Sequence, residues 1–362
     1  MASLNKQKIA YYSSLSLLLS YAELLIPRFI PFLRFGLANS IVLLALDFDF
    51  KDFFALLIFK SIAASFISGT LFSPFFLISF FQSVISGLVM FMMNRRVKKF
   101  FSVYGISIAG AGVSALVQVF LAALYLGNQV YYVLWIMLLF AVLSGFITAL
   151  ICQKLILNKN PPEIILDSLK NNTKNDKSNL LLSIFSVILI IIFTFITKNL
   201  FILCLMFAAA LVFQTLCKRK IYILPHISLW IFIIILSLFT GEGKIIYQIS
   251  FITVYQDSLI EGISKALKLS IVMAVSQGAA SLKPNSQSIL SLILLYFSSL
   301  ADNFNKQKGG VISKINATLN NNNLIINETE NQQNKCIQAL FFAEAFIFAV
   351  LFICNLYISK II

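Results

Sequence analysis

Between Leu18 and Ser79 an otherwise apolar sequence carries Glu23, Arg28, Arg34, Asn39 and Lys60, followed by the turn Gly69-Thr70-Leu71-Phe72-Ser73-Pro74. An ionisable side chain inside a membrane span costs about 2.5–3.5 kcal/mol on insertion scales, so it is expected to face a cavity or a partner. Arg28 and Arg34 flank a helix break at Pro27 and Pro31, just beyond Glu23. Guanidinium groups hold carboxylate or phosphate bidentately, and proline at membrane depth frees backbone carbonyls that need a cavity or covering protein. Asn39 offers a donor and an acceptor beside Gly36, and Lys60 stands too deep in its span to reach a headgroup comfortably. The set predicts a pocket near the outer face for an anionic or zwitterionic small molecule, lined by Glu23, Arg28, Arg34, Asn39, Lys60, Gly69, Thr70 and Ser73. The competing reading is internal: both arginines reach lipid headgroups with Glu23 paired to one of them, and Lys60 pairs with Asp47, Asp49 or Asp52.

Other chemistries find no residues. There is no Gly-rich phosphate loop ending in Gly-Lys-Ser/Thr, so the chain shows no ATPase motif of its own. Asp47, Asp49 and Asp52 are wrongly spaced for a magnesium diphosphate site, and no Ser/His/Asp set stands out. The five cysteines are scattered singly and His226 is the one histidine, which supports neither disulfides nor zinc. The chain therefore reads as a non-enzyme that binds no metal or cofactor. Gln82 and Gln118 read as hydrogen-bonding glue between helices, worth roughly 0.6–2 kcal/mol each. Ser107, Ala111 and Ala115, with Gly110 and Gly112 beside them, form a small-residue face that predicts close helix packing.

The elements that position these residues follow from composition. Hydrophobic residues make up 59% and charged residues 12% of the chain, with a mean hydropathy of +0.91, against about 25% charged in soluble domains. Unalternated apolar runs of about 17–25 residues match membrane helices and exclude a barrel of roughly ten-residue alternating strands. The net charge of +14 lies largely in short clusters such as Arg95-Arg96-Val97-Lys98-Lys99 and Lys218-Arg219-Lys220. Clusters at span ends orient helices, so nucleic acid is excluded as a partner and membrane lipid is the surroundings. The fold class is thus all-α, a polytopic helical membrane protein, with the first apolar run retained as a span and not cleaved as a signal peptide.

Residues 1–157 predict a six-helix bundle with spans at 9–26, 35–50, 52–72, 74–93, 101–126 and 130–156. Six crossings place the N-terminus, Arg95–Lys99 and the Lys154–Lys177 region together on the cytoplasmic side. Residues 158–179 turn to Asn, Lys, Asp and Pro, a polar cytoplasmic linker that cannot fold alone. Residues 180–362 predict a second membrane domain of about five spans, at 180–197, 199–216, 221–240, about 262–282 and 338–358. Within it 283–334 reads as a cytoplasmic amphipathic segment, although Ser288–Phe304 is also apolar enough to span.

Gly36-Leu37-Ala38-Asn39, then Gly69-Thr70-Leu71-Phe72-Ser73-Pro74 with Leu77-Ile78-Ser79, a basic turn and the Gly/Ala-rich fifth span together resemble the bacterial Gx transporter family. The same family is also labelled heptaprenyl diphosphate synthase component I. The resemblance covers about residues 10–156 and implies a module similar to the substrate-binding S components of energy-coupling-factor (ECF) transporters in the bacterial cytoplasmic membrane. More faintly, Gly262-Ile263-Ser264-Lys265-Ala266-Leu267-Lys268-Leu269 and Lys283-Pro284-Asn285-Ser286 look like an ECF T component. That likeness implies separate cytoplasmic ATPase subunits using ATP, engaged through Lys265, Lys268, Lys308 and Gly309. The Ala-Arg-Gly signatures of T components are replaced here by Gln307-Lys308-Gly309-Gly310. The alternative is a membrane component assisting heptaprenyl or polyprenyl diphosphate synthesis or lipid handling.

Overall fold

A computed structural model of the chain describes residues 2–24, 36–155, 176–238, 243–249, 252–281, 288–307, 310–320 and 334–361. The N-terminal bundle comprises α1 (Ala2–Leu24), α2 (Asn39–Leu44), α3 (Phe50–Ser68), α4 (Pro74–Arg96), α5 (Val103–Leu126) and α6 (Leu134–Lys154), the last entered through a 3-10 turn at Asn128–Val133. The C-terminal bundle comprises α7 (Asp176–Ile196), α8 (Leu200–Leu216), α9 (Ile223–Ser237), α10 (Gln256–Ala279) and α13 (Asn334–Ile361). Between α10 and α13 lie α11 (Ile289–Lys306) and α12 (Val311–Asn320). The predicted all-α class holds. One element escapes it: β1 (Ile245–Ile249) and β2 (Ile252–Tyr255) form an antiparallel hairpin with Gln248 opposite Thr253 and Ile249 opposite Ile252.

Helix ends follow local chemistry. Pro74 opens α4, where its missing N–H costs nothing, and Arg95 and Arg96 close it, where cations suit the helix dipole. The Ser102 hydroxyl caps α5 by accepting from the Gly105 N–H, and Ser288 caps α11 by accepting from Ser291. Four described helical stretches are long and apolar enough to cross a membrane: Pro74–Arg96, Val103–Leu126, Asn128–Lys154 and Ala339–Tyr357. Ser183–Ile196, Leu200–Leu216 and Ile223–Ser237 are apolar but shorter.

Burial is inverted relative to a soluble protein. The apolar helices turn large side chains outward, with Trp135 75% and Phe346 71% exposed, whereas the more polar α1 is buried at every position from Ile9 to Leu19 and α10 from Leu269 to Ser276. Hydrocarbon as solvent accounts for both: apolar surface faces lipid at no cost, and polar helices gain by hiding inside.

The segment predicted as a span at 35–50 needs correcting. Its described part is helical only over Asn39–Leu44, about 9 Å of rise, and turns follow from Ala45 to Phe48. Asp47 and Asp49 favour turns and caps over helix interior, and α3 starts directly after Asp49, which is extended at its N-cap. The segment still runs back along α1, since Ser16 Oγ donates to Ala38 O at 3.3 Å while Tyr12 and Lys8 both pack on the Phe48 ring. That end of the bundle also gathers the basic residues: Arg95 donates to Phe48 O and Lys98 lies 3.7 Å from Asp47.

The small-residue face of α5 packs within the chain. Ser107 Oγ donates to Gly145 O of α6 at 2.7 Å, and a Cβ on Gly145 would stand 2.7 Å from Ile108 Cα. Gly110 sits against Met90, and Gln82 Nε2 donates to Ser114 Oγ at 2.5 Å. Gly112, by contrast, has nothing within 4 Å of where a Cβ would be.

Two cores result. One joins α1, α2, α3, α4, α5 and α6 to α11 and α12 through Leu292, Ile293, Tyr296, Leu300, Phe304 and Ile315. Tyr11 meets Tyr296 edge-on, and Tyr21 meets Phe297 and Phe304. The amphipathic α11 is therefore a packed cover on α1. The second core joins α7, α8, α10 and α13, with Phe193 stacked on Phe352 and Phe213 edge-on to Phe341.

Candidate functional site

The carboxylate of Glu23, 6% exposed at the end of α1, accepts from the N–H groups of Gly36 and Leu37, each at 3.3 Å. Gly36 has φ +70°, the left-handed conformation glycine adopts freely. This clasp brings the start of α2 against α1 and sets Asn39, the first residue of α2, toward α3. There Lys60 Nζ donates to Asn39 Oδ1 at 2.9 Å. Lys60 is 7% exposed and stands ten residues into α3, about 15 Å along it and half the thickness of a hydrocarbon core.

Glu23, Asn39 and Lys60 are thus brought together. Hydroxyls of α2 and α6 lie beside them: Ser40 Oγ donates to Thr148 O, and Thr148 Oγ1 reaches Gly36 O at 3.5 Å. A Cβ on Gly36 would meet Ser144 Oγ, Asn39 Nδ2 and Thr148 Oγ1 at 3.5–3.6 Å, so a methyl-sized space there is ringed by polar atoms. On α1, Ser13, Ser16, Ser20 and Glu23 recur at helical spacing, a polar stripe that leads to the cluster. Ser144 and Thr148 gave no signal of their own; only the fold brings α6 beside α2.

The ion pairs among the described residues are Lys98–Asp47 and Lys265–Glu261. Asp47 is thereby engaged at the bundle end, and Lys60 finds an amide where the internal reading expected Asp47, Asp49 or Asp52. Arg28 and Arg34 lie outside the described residues, as do Lys308 and Gly309.

The Gly69–Pro74 turn sits elsewhere, against α10. Gly69, with φ +68°, approaches the Gln277 backbone so closely that a Cβ would stand 2.8 Å from Gln277 Cα, and the Phe72 N–H donates to Ser276 Oγ at 3.0 Å. Thr70 Oγ1 bonds the Ser68 hydroxyl, and Ser73 Oγ donates to Thr70 O, which shapes the turn itself. Phe75 packs with Ala266 and Leu269, and Lys265 Nζ reaches Leu126 O at 3.4 Å. Residues 265–277 of α10, about 18 Å of helix, thus cross the ends of α5, α4 and α3 in turn. Gly69→Ala should cost about 2 kcal/mol through the left-handed φ and the contact with Gln277, read as a lower melting temperature and faster proteolysis between the two bundles.

Lys268 Nζ donates to Phe195 O at 3.0 Å, and Lys265 also pairs with Glu261 at 2.8 Å. Both lysines are held within the helix packing around α10. Beyond the predicted set, Gln214 Nε2 donates to Gln277 Oε1 at 2.6 Å, and Glu344, 4% exposed on α13, has no partner for Oε1 among the described residues.

Inverted burial, apolar spans and buried ionisable groups define an all-α, multi-pass membrane protein with a polar cluster inside its first bundle. Residues 12–155 match the profile of the family described as heptaprenyl diphosphate synthase component I, the label reached from the motifs of the same stretch. Residues 180–280 match a domain of unknown function (DUF8519). No curated protein matches the chain, and no solved structure matches it.

Proposed function

We propose that the chain is a transport protein of the ECF type, in which the N-terminal bundle captures a small molecule at the Glu23–Asn39–Lys60 cluster. The observation that carries this is Lys60: an amine buried midway along α3 whose one partner among the described residues is the neutral Asn39 side chain. A cation so placed is expensive unless something polar completes its surroundings, and a ligand does so. In this reading the C-terminal bundle, docked through α10, is the scaffold that recruits separate cytoplasmic ATPases, and the chain itself is no enzyme. It lies in the bacterial cytoplasmic membrane with its N-terminus inside, which agrees with the gathering of Lys8, Arg95 and Lys98 at one end of the bundle.

The matched family's description favours a second reading, a membrane partner of polyprenyl diphosphate synthesis. A gentle detergent pull-down of the tagged protein from native membranes, with mass spectrometry of retained proteins and small molecules, separates the two. ATPase subunits and a polar solute are the expected result. A prenyltransferase or a polyprenyl lipid in their place sinks the transport reading.

A further inference from the structure

We infer that Lys60 and Asn39 form the anchoring point for an oxyanion of the ligand, a carboxylate or phosphate group; this rests on the substrate-capture reading above. The ammonium group has three donors and no acceptor, and among the described residues a single donor is used, by Asn39 Oδ1 at 2.9 Å. That bond also fixes the Asn39 amide: its oxygen must face the lysine, so its NH2 is turned away as a further donor. The NH2 lies at the methyl-sized space beside Gly36, together with the hydroxyls of Ser144 and Thr148. Donors on Lys60 and Asn39 thus remain for acceptor oxygens.

The neighbouring acid does not do this work. Glu23 spends both carboxylate oxygens on the Gly36 and Leu37 N–H groups and makes no ion pair with Lys60. Its negative charge still favours a compact anion seated on Lys60 over one spread along α1. A ligand amine would meet Lys60 as a like charge, and a purely apolar ligand would leave the donors empty at a cost.

The test uses the purified full-length protein in detergent and follows its melting temperature with inorganic phosphate, short mono- and dicarboxylates, short amines, and mixed micelles of phosphatidylglycerol or phosphatidylcholine. Lys60→Met keeps the length of the side chain and removes the charge; Lys60→Arg keeps the charge. The expected result is stabilisation by an oxyanion, with its apparent Kd raised at least about tenfold in Lys60→Met and largely retained in Lys60→Arg. Saturation by a soluble anion identifies a free solute, whereas a response confined to phosphatidylglycerol identifies a lipid headgroup. Because methionine is apolar, Lys60→Met should match or exceed the wild-type melting temperature without ligand, so loss of binding is not loss of fold. Stabilisation by amines, or oxyanion binding unchanged in Lys60→Met, overturns the assignment of Lys60 but leaves substrate capture standing. No response to any anion, together with a pull-down that retains no polar solute, removes both.

Discussion

Gly145→Leu should disrupt the N-terminal bundle, while Gly112→Leu, on the helix it packs against, should be nearly neutral. At Gly145 a Cβ would stand 2.7 Å from Ile108 Cα and 3.0 Å from Ile108 N. Those are backbone atoms, which move only if α5 and α6 separate. Separation also breaks the bond from Ser107 Oγ to Gly145 O. Overpacking costs typically 1–3 kcal/mol for added methylenes in a core that can yield, and the hydrogen bond adds about 1 kcal/mol. For a branched side chain against backbone a total of about 4 kcal/mol or more is expected. Gly112 has open space, and leucine there gains helix propensity by nearly 1 kcal/mol. Thermal unfolding of the detergent-solubilised protein, followed by gel filtration, compares them. Equal damage from both substitutions would contradict the α5–α6 contact.

Much of this architecture is legible in sequence because lipid imposes a single rule on spans: satisfy the backbone internally and stay apolar. The predicted spans at 74–93, 101–126 and 199–216 fall within one to three residues of Pro74–Arg96, Val103–Leu126 and Leu200–Leu216. The rule fails where the chain is covered by protein. At 35–50 apolar composition suggests a full span, yet Asp47 and Asp49 stop the helix after six residues, since buried non-helical backbone is tolerated beside other helices. The hairpin at Ile245–Tyr255 is similarly a local choice of β-branched and aromatic residues that span-counting does not see.

The cluster was legible in part for a different reason. Buried charge is conspicuous against an apolar background, so Glu23 and Lys60 stand out before any fold is known. Their partners do not, because backbone N–H groups of Gly36 and Leu37 and the Asn39 amide have no charge to announce them. The Gly69–Pro74 turn shows the converse. Its residues look suited to binding, and they serve helix α10, because a glycine at φ +68° and a hydroxyl-rich turn suit close approach to protein as well as to a ligand. Lys265 and Lys268 are likewise distinctive in sequence, and their carbonyl partners, Leu126 O and Phe195 O, come from distant helices.

Glu23→Ala should destabilise the protein by about 3 kcal/mol and Glu23→Gln by roughly half as much. The carboxylate is 6% exposed and its oxygens accept from two backbone N–H groups at 3.3 Å. Charge-assisted bonds are worth about 1.5–3 kcal/mol each, discounted here for their length, and alanine leaves both donors unsatisfied in a protein interior. Glutamine keeps one acceptor oxygen, and its NH2 faces the second N–H donor to donor. Melting temperature gives the stability term, and oxyanion binding measured in the same preparations gives the rest. If Glu23 is the clasp that positions Asn39, then binding falls in step with stability across Glu23→Gln and Glu23→Ala, and both recover when the protein is held at lower temperature. If Glu23 instead touches the ligand, affinity falls in Glu23→Gln with the melting temperature unchanged, and that outcome would move the acid from the frame of the site to its lining.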